Sequence, residues 1–312
     1  MQHGGSWLGA SAHLYLLPDA DLGLFVAFNH GAGVEHTHTL IYQALDHALP
    51  DVDQTVVEPA VDDTEVSALA GQYRWNRHDR DTFMRLVSTL AGIRLQVTDL
   101  GDGTLATVMS PVHLHPDATW LPTDGGVFIE QDGRGTLVFD IDTASGGVEG
   151  LHLSGAQLFT MEPIAWYDTA GFLGGLLAFL LAVALIAAVG WPAGALRRRI
   201  RHRDQLVPPD LRWARRLTGL AGGLMIASAV GILVHFALDM AGLLQVSLAL
   251  RTLLVLLLAA ALLTVTLTIV VVQLWRKGSG STAGRVYHSG IAIALIAALP
   301  LLWHLRLLGF HD

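Results

Sequence analysis

From Thr169 onward the chain carries long stretches without a charged residue: Thr169 to Leu196, Leu217 to Leu238, Thr252 to Trp275 and Val286 to Leu305, each at least 20 residues long. A stretch of that length spans the hydrocarbon core of a bilayer as a helix. Segments such as LLAFLLAVALIAAV and LLVLLLAAALLTVTLTIVVV lack the polar stripe that a helix buried in a soluble protein shows. The pattern therefore predicts four transmembrane helices, over about 169–191, 217–238, 252–275 and 286–305. Ahead of them the period changes. Residues 11–29, SAHLYLLPDADLGLFVAFN, read as two strands joined by a tight turn at Pro18-Asp19-Ala20-Asp21. His38 to Leu49 then sets Leu40, Ile41, Ala44, Leu45 and Ala48 at helical spacing before Pro50.

Residues 51–65 are acidic, contain Pro59 and lack periodicity, so they read as a linker. From Leu69 to Trp166 short apolar runs alternate with turn signals at Gly101-Asp102-Gly103, Asp124-Gly125-Gly126, Asp132-Gly133 and Gly146-Gly147. That spacing predicts a small all-β domain over 66–166, a barrel or a sandwich, with one helix near Thr82 to Ala91. The fold class is thus α+β: strand, strand and helix in residues 1–50, then the β domain, then a four-helix membrane bundle over 167–312.

Composition sharpens this division. The chain is 52% hydrophobic with a mean hydropathy of +0.47, which excludes disorder and collagen and is too apolar for a wholly soluble protein. The net charge of −8 hides a split: residues 1–166 hold 22 acids against 6 arginines, residues 167–312 hold 5 acids against 13 Lys and Arg. An acidic water-facing part and a basic-looped membrane part follow, and nucleic acid is excluded as a partner of the first. With no cysteine there is no disulfide, no thiol nucleophile and no thiolate metal site.

Short cytoplasmic loops collect Lys and Arg. The loop 197–216, with Arg197, Arg198, Arg199, Arg201, Arg203, Arg212, Arg215 and Arg216, and the loop 276–285, with Arg276, Lys277 and Arg285, are expected in the cytoplasm. Residues 1–166 and the C-terminus are then extracytoplasmic. Gly171 with Gly175 and Gly219 with Gly223 make small-xxx-small pairs that let helices pack closely or oligomerise. His235, Asp239, Arg251, His304 and Arg306 fall at outer helix ends, where side chains reach water, so no ion pathway is expected. Pro300 is expected to kink the fourth helix.

The opening residues carry the candidate chemistry. His3-Gly4-Gly5-Ser6, followed by the Leu-Leu-Pro-Asp turn and the strand Leu24 to Asn29, resembles the last strands and terminal helix of the serine hydrolases related to class C β-lactamases and penicillin-binding proteins. In that family a Lys-Thr-Gly or His-x-Gly triplet on the strand lining the active site is the third catalytic motif; the matching triplet is His3-Gly4-Gly5. The linker, the β domain opening Leu69-Ala70-Gly71-Gln72-Tyr73, the Trp166-Tyr167 exit and the membrane helices look like the tail of some membrane-anchored members. The resemblance implies that His3, Gly4, Gly5 and Ser6 bind substrate, a peptide, β-lactam or ester, with the Ser6 backbone N–H as an oxyanion donor. It implies no cofactor and no metal.

The family's nucleophile is the serine of Ser-x-x-Lys. The sole lysine is Lys277, and Leu274 stands three before it, so that motif is absent and no catalytic set is complete here. Tyr287-His288-Ser289 spells the family's Tyr-x-Ser but lies at the mouth of the fourth membrane helix, across the bilayer from His3. Met1 to Leu17 lacks the basic and apolar regions of a signal peptide. Met1 is therefore expected to be internal to a longer protein, with the nucleophile upstream. His36-x-His38 and His113-x-His115 have a spacing that strand ligands use, without an evident third ligand. Asp102 and Asp132 sit in turns whose backbone they cap, and Trp75, Trp120 and Trp166 are either core residues or the floor of a groove. The rival expectation is a non-catalytic membrane protein whose outer β domain binds a partner.

Overall fold

The computed structural model describes residues 1–7, 9–30, 33–49, 66–110, 117–123, 126–131, 135–142, 144–154, 160–200, 207–238 and 247–309. The linker 51–65, His113, His115, Asp132, Arg201, Arg203 and Asp239 lie outside them. The chain divides into two compact units, Met1–Arg77 with Ile93–Ile164, and His78–Gly92 with Ala165–Asp312.

In the first unit, β1 (Gln2–Trp7), β2 (Ala10–Leu17) and β3 (Leu22–Phe28) form an antiparallel sheet in the order β1-β2-β3. The predicted turn is a single 3-10 turn at Pro18–Ala20, closed by the Asp21 N–H donating to the Pro18 carbonyl at 3.1 Å. Proline's fixed φ suits the turn's first position, and Asp21 takes the left-handed backbone (φ 50°) that aspartate tolerates better than most residues. Helix α1 (Gly33–Ala48) packs on β2 and β3. It begins five residues before the predicted start, and its buried positions are Thr37 and Ile41, one turn apart, whereas Leu40 is exposed.

Eight further strands close a barrel: β4 (Gly71–Trp75), β5 (Arg94–Asp99), β6 (Leu105–Ser110), β7 (Ala118–Pro122), β8 (Val127–Glu130), β9 (Thr136–Ile141), β10 (Val148–Leu153) and β11 (Met161–Pro163). Strict alternation sends Leu105, Thr107 and Met109 of β6 inward, as it does Leu95 and Val97 of β5 and Leu137 and Phe139 of β9. Closure falls to β11, whose three residues pair with β4, and to the ion pair between Arg74 Nε and Glu162 Oε1, directly opposite on those strands at 3.0 Å. Trp120 is wholly buried and donates its indole N–H to Thr107 Oγ1 at 2.7 Å, while the Tyr73 hydroxyl donates to the Leu69 carbonyl at 2.7 Å. Eight strands leave an interior that side chains can fill. The Gly101 and Gly103 backbones (φ 82° each) turn β5 into β6, a conformation that a side chain would strain.

The second unit holds α2 (Met84–Ala91) and four long helices, α3 (Ala170–Ile200), α4 (Pro209–Leu238), α5 (Leu248–Lys277) and α6 (Thr282–His304). All four are long and apolar enough to cross a membrane, and they make the chain a multi-pass membrane protein. Neighbours in sequence pack together, and α3 also meets α6. The interior mixes small residues, among them Ala184, Ala187, Ala214, Ala221, Ala260 and Ala298, with leucines such as Leu250, Leu257, Leu267, Leu274 and Leu295. Of the four glycines in the small-xxx-small pairs, Gly219 alone meets a neighbouring helix, a Cβ there lying 3.3 Å from Trp191 Cβ. A Cβ on Gly171, Gly175 or Gly223 would meet nothing within 4 Å, whereas one on Gly222 would meet the Ala184 carbonyl at 2.5 Å and Ala187 Cβ at 2.8 Å. Gly222 therefore sets the closest approach of α3 and α4. The hydroxyls of Thr264, Thr266 and Thr268 donate to carbonyls one turn back, at 2.9 to 3.0 Å, which hides them within α5.

Candidate functional site

The predicted His-Gly-Gly triplet lies on β1, the edge of its sheet. The register places His3 opposite Leu14, Gly4 opposite His13, Gly5 opposite Ala12 and Ser6 opposite Ser11; β2 in turn sets Leu14 opposite Phe25 and His13 opposite Val26. Alternation then sorts these residues onto two faces. One face bears Ser11, Tyr15 and Gly4 and is covered by α1, as the burial of Ser11 and Tyr15 shows. The other bears His3, Gly5, Leu14, Leu16 and Phe25, all exposed, with Phe25 68% accessible.

The two glycines differ. A Cβ on Gly4 would collide with the His13 imidazole where it now lies, so a side chain there requires the ring to move. A Cβ on Gly5 would meet nothing within 4 Å. Burial, and secondarily the nearby His3, push the His13 imidazole below the usual histidine range. His3 itself stands on the open face beside Gly5.

The remaining candidates scatter. Trp120 is core, Trp75 packs partly buried against the barrel interior, and Trp166, 71% exposed, stacks edge-on with Tyr167 and Phe172 at the start of α3. Asp102 accepts from the Thr104 hydroxyl and from its N–H at 3.1 Å, which lowers its carboxyl below the ordinary range; Asp142 does the same for Ser145 and Ala144. Both are turn caps. His36 is exposed on α1, and among the described residues no group of three His, Cys, Asp or Glu could hold a metal ion. Tyr287, His288 and Ser289 point to separate partners: the Tyr287 hydroxyl donates to the Ile186 carbonyl at 3.2 Å, His288 Nδ1 meets Thr218 Oγ1 at 3.0 Å, and Ser289 Oγ accepts from the Trp275 indole at 2.9 Å. Lys277 Nζ is 3.2 Å from Asp210 Oδ2.

One polar cluster escapes sequence reasoning. Asp168, only 6% exposed, has its Oδ1 3.0 Å from His304 Nε2, which is also 3.1 Å from Arg85 Nη2. One ring nitrogen cannot both donate to a carboxylate and accept from a guanidinium. The Nε2 proton therefore goes to Asp168, and Arg85 completes the cluster by charge, 4.0 Å from the same oxygen. Arg306 adds a bond to the Arg80 carbonyl at 3.3 Å and lies 3.5 Å from Asp81. The segment 78–92, between β4 and β5 in sequence, is thereby fastened to the N-terminal end of α3 and the C-terminal end of α6. The sequence reading has His304 and Arg306 reaching for water; they reach for this segment instead.

No family model matches the chain, and no curated protein matches it. Among solved structures, those titled "Crystal structure of SurE with D-Leu" and "Crystal structure of SurE" are similar at 21% and 20% identity, with TM-scores of 0.27 and 0.26. Each alignment covers 52% of this chain, which spans 35% and 34% of those chains. Such TM-scores assign no fold.

Proposed function

We propose that this chain is the membrane-anchoring C-terminal portion of a serine hydrolase related to the class C β-lactamases and penicillin-binding proteins, cleaving an amide or ester through an acyl-serine supplied by sequence upstream of Met1. The observation that supports this reading most is the open face of β1. Gly5 has no packing reason to be glycine, stands beside exposed His3 on an edge strand, and borders the apolar row Leu14, Leu16 and Phe25. A strand of this kind lets a substrate backbone lie close, and the uncovered apolar face suits further elements of the same fold.

In this reading His3 holds the substrate's carboxylate or carbonyl opposite the nucleophile. The Ser6 N–H serves as one oxyanion donor, a contact worth about 3 to 4 kcal/mol of transition-state stabilisation. Gly4 shapes the strand by admitting His13. The barrel and residues 1–50 lie outside the cell membrane, and the end of the bundle bearing Arg199, Arg212, Arg216, Arg276 and Arg285 faces the cytoplasm, as positive-inside asymmetry requires.

The test is to label the full-length protein in its native membrane with a fluorophosphonate or penicillin probe. Labelling of a species heavier than 33.4 kDa, competed by a peptide or ester substrate, supports the proposal. Failure of every serine probe on an intact, correctly inserted protein overturns it. The second reading, a binding protein without catalysis, draws on the barrel, whose exposed Leu100, Val108 and Ile141 offer contact area; it predicts partner capture by the barrel and no labelling.

A further inference from the structure

At the end of the bundle opposite the arginine-rich one, the segment 78–92 is held to the N-terminal end of α3 and the C-terminal end of α6. We propose that this segment rests in the headgroup layer of the bilayer, with α2 an interfacial helix whose open side contacts phospholipid at the level of the glycerol and upper acyl chains. The inference rests on the bundle spanning a membrane and is independent of the hydrolase reading.

Depth carries it first. Phe83 is buried in the interior cluster of the bundle together with Leu173, and Met84 and Leu86 pack against that cluster. A Cβ on Gly174 would lie 3.7 Å from Leu90 Cδ2. Gly174 is about 6 Å along the helix axis from Ala170, the first residue of α3, at 1.5 Å per residue. The C-terminal end of α2 therefore lies beside the second turn of a spanning helix, not above its start. Aromatic residues mark the headgroup level there. Tyr167 and Phe172 stack edge-on to Trp166 at 5.7 and 5.1 Å, and all three are exposed. Trp303, also exposed, precedes His304, whose bond to Asp168 sets the end of α6 level with the start of α3. Tryptophan and tyrosine gather at that level at the ends of spanning helices, and α2 reaches inside their collar.

The polar groups of the segment are arranged for such a place. An element that meets lipid must satisfy its hydrogen bonds within the protein. Asp79 accepts from the Asp81 and Thr82 N–H groups at 3.1 and 2.7 Å and from the Thr82 hydroxyl at 2.8 Å. The Gly92 N–H closes the far end on the Ser88 carbonyl at 3.0 Å. Arg85, the one charge within α2, stands 4.0 Å from the Asp168 carboxylate. At about 100° per residue, the side of α2 opposite Leu86, Thr89 and Leu90 bears Ser88 and Ala91, with Val87 at its flank. The Ser88 hydroxyl is turned back onto the Met84 carbonyl at 2.9 Å, which hides the polar group on that side. Leu90 meets α3 at Gly174, next to exposed Gly175, so the open side of α2 continues the lipid-facing surface of the bundle. Charge precedes the helix, at Asp79, Arg80 and Asp81, and the apolar residues follow, which is the polarity gradient of the interface itself.

The chain has no cysteine, so single cysteines can be introduced and spin-labelled in the full chain, reconstituted in phosphatidylcholine liposomes. Ala91→Cys, with Val87→Cys as a second position, is compared with Glu149→Cys on the exposed barrel surface and Phe179→Cys on the exposed side of α3. Oxygen concentrates in lipid and a nickel chelate stays in water. An oxygen-to-nickel accessibility ratio at position 91 several-fold above that at 149, and below that at 179, supports the proposal. A ratio equal to that at 149 places α2 in water and overturns it. Exclusion of both reagents at position 91, in liposomes dilute enough to hold single chains, means that protein covers this side and overturns it as well. Should the labelled variants fail to insert, the wild type decides, photolabelled in liposomes that carry a diazirine phospholipid. Trypsin releases the peptide Leu86–Arg94. Lipid adducts on that peptide support the proposal, and adducts confined to peptides of the four long helices overturn it.

Discussion

The barrel and the membrane bundle solve the burial problem in different ways. In the barrel the large residues are inside, with Trp120, Phe128, Leu105 and Leu151 at the centre, and alternate positions turn to solvent. In the bundle large residues also face outward, with Phe179, Leu185, Ile186, Leu233, Leu262 and Ile293 exposed, while the interior mixes leucines such as Leu250, Leu267 and Leu295 with alanines and, at the closest contact, Gly222. Water forces the first arrangement, because apolar area must leave it. Lipid tails are as apolar as leucine, so the second is governed by how closely backbones can approach. Stability in the barrel thus resides in side-chain volume, and at the α3–α4 contact of the bundle it also resides in side-chain absence.

That contrast can be broken by substitution. The largest effect is expected at Trp120: Trp120→Ala removes the central side chain and leaves Thr107 without its partner, costing about 3 to 5 kcal/mol. Chemical unfolding of the barrel, followed by tyrosine absorbance and circular dichroism, reads it. The next is Gly222→Val. Its contacts are backbone atoms of α3, at 2.5 and 2.9 Å from the added Cβ, so the helices must separate, at about 1 to 3 kcal/mol. Gly223→Ala, with open space around it, should be neutral or stabilising by up to about 1 kcal/mol. A bundle in which both substitutions behave alike in detergent thermal melts would contradict this assignment of the contact.

Asp168→Asn sharpens the comparison where a polar group is buried in the helical unit. It should cost about 1 to 3 kcal/mol by weakening the acceptor for His304 and removing the negative charge 4.0 Å from Arg85. Limited proteolysis should then cut first within residues 78–92. The smallest effect is a pH dependence. Burial pushes the Tyr73 phenol up from 10.0 to about 12, so the folded state holds its proton more tightly than the unfolded one. The associated stability is complete below pH 10 and is lost as pH rises towards about 12. Tyr73→Phe should abolish that alkaline decline in barrel unfolding while giving up the hydrogen bond to Leu69.

What the sequence discloses follows the same physics. Four spans are legible because charge is excluded from hydrocarbon, yet the helices outrun them: α3 continues through Arg199 to Ile200, and α4 starts at Pro209 with Asp210 in its first turn. Proline at a helix start and an acid beside it are favourable, and arginine extends a helix in water as readily as leucine does in lipid. The turn at Pro18 and the glycine turns of the barrel are legible from local backbone demands. Barrel against sandwich is not, because closure rests on three residues of β11. The cluster of Asp168, His304 and Arg85 is illegible for a different reason: its members stand 136 and 219 residues apart, and none has a local pattern. Three of the four paired glycines meet nothing, because spacing marks which residues are small, not which face a neighbouring helix occupies. Of the candidate site, β1 and its turn are visible in the sequence, while the distinction between Gly4 and Gly5 needs His13 in place.

The most direct test of the central claim is active-site serine labelling combined with intact mass of the protein from its native membrane. A labelled species heavier than 33.4 kDa, whose labelling falls by about 10²-fold or more when the contacts of β1 are disrupted by Gly5→Val, is the result the account predicts. An intact, inserted protein that no serine probe labels would contradict it.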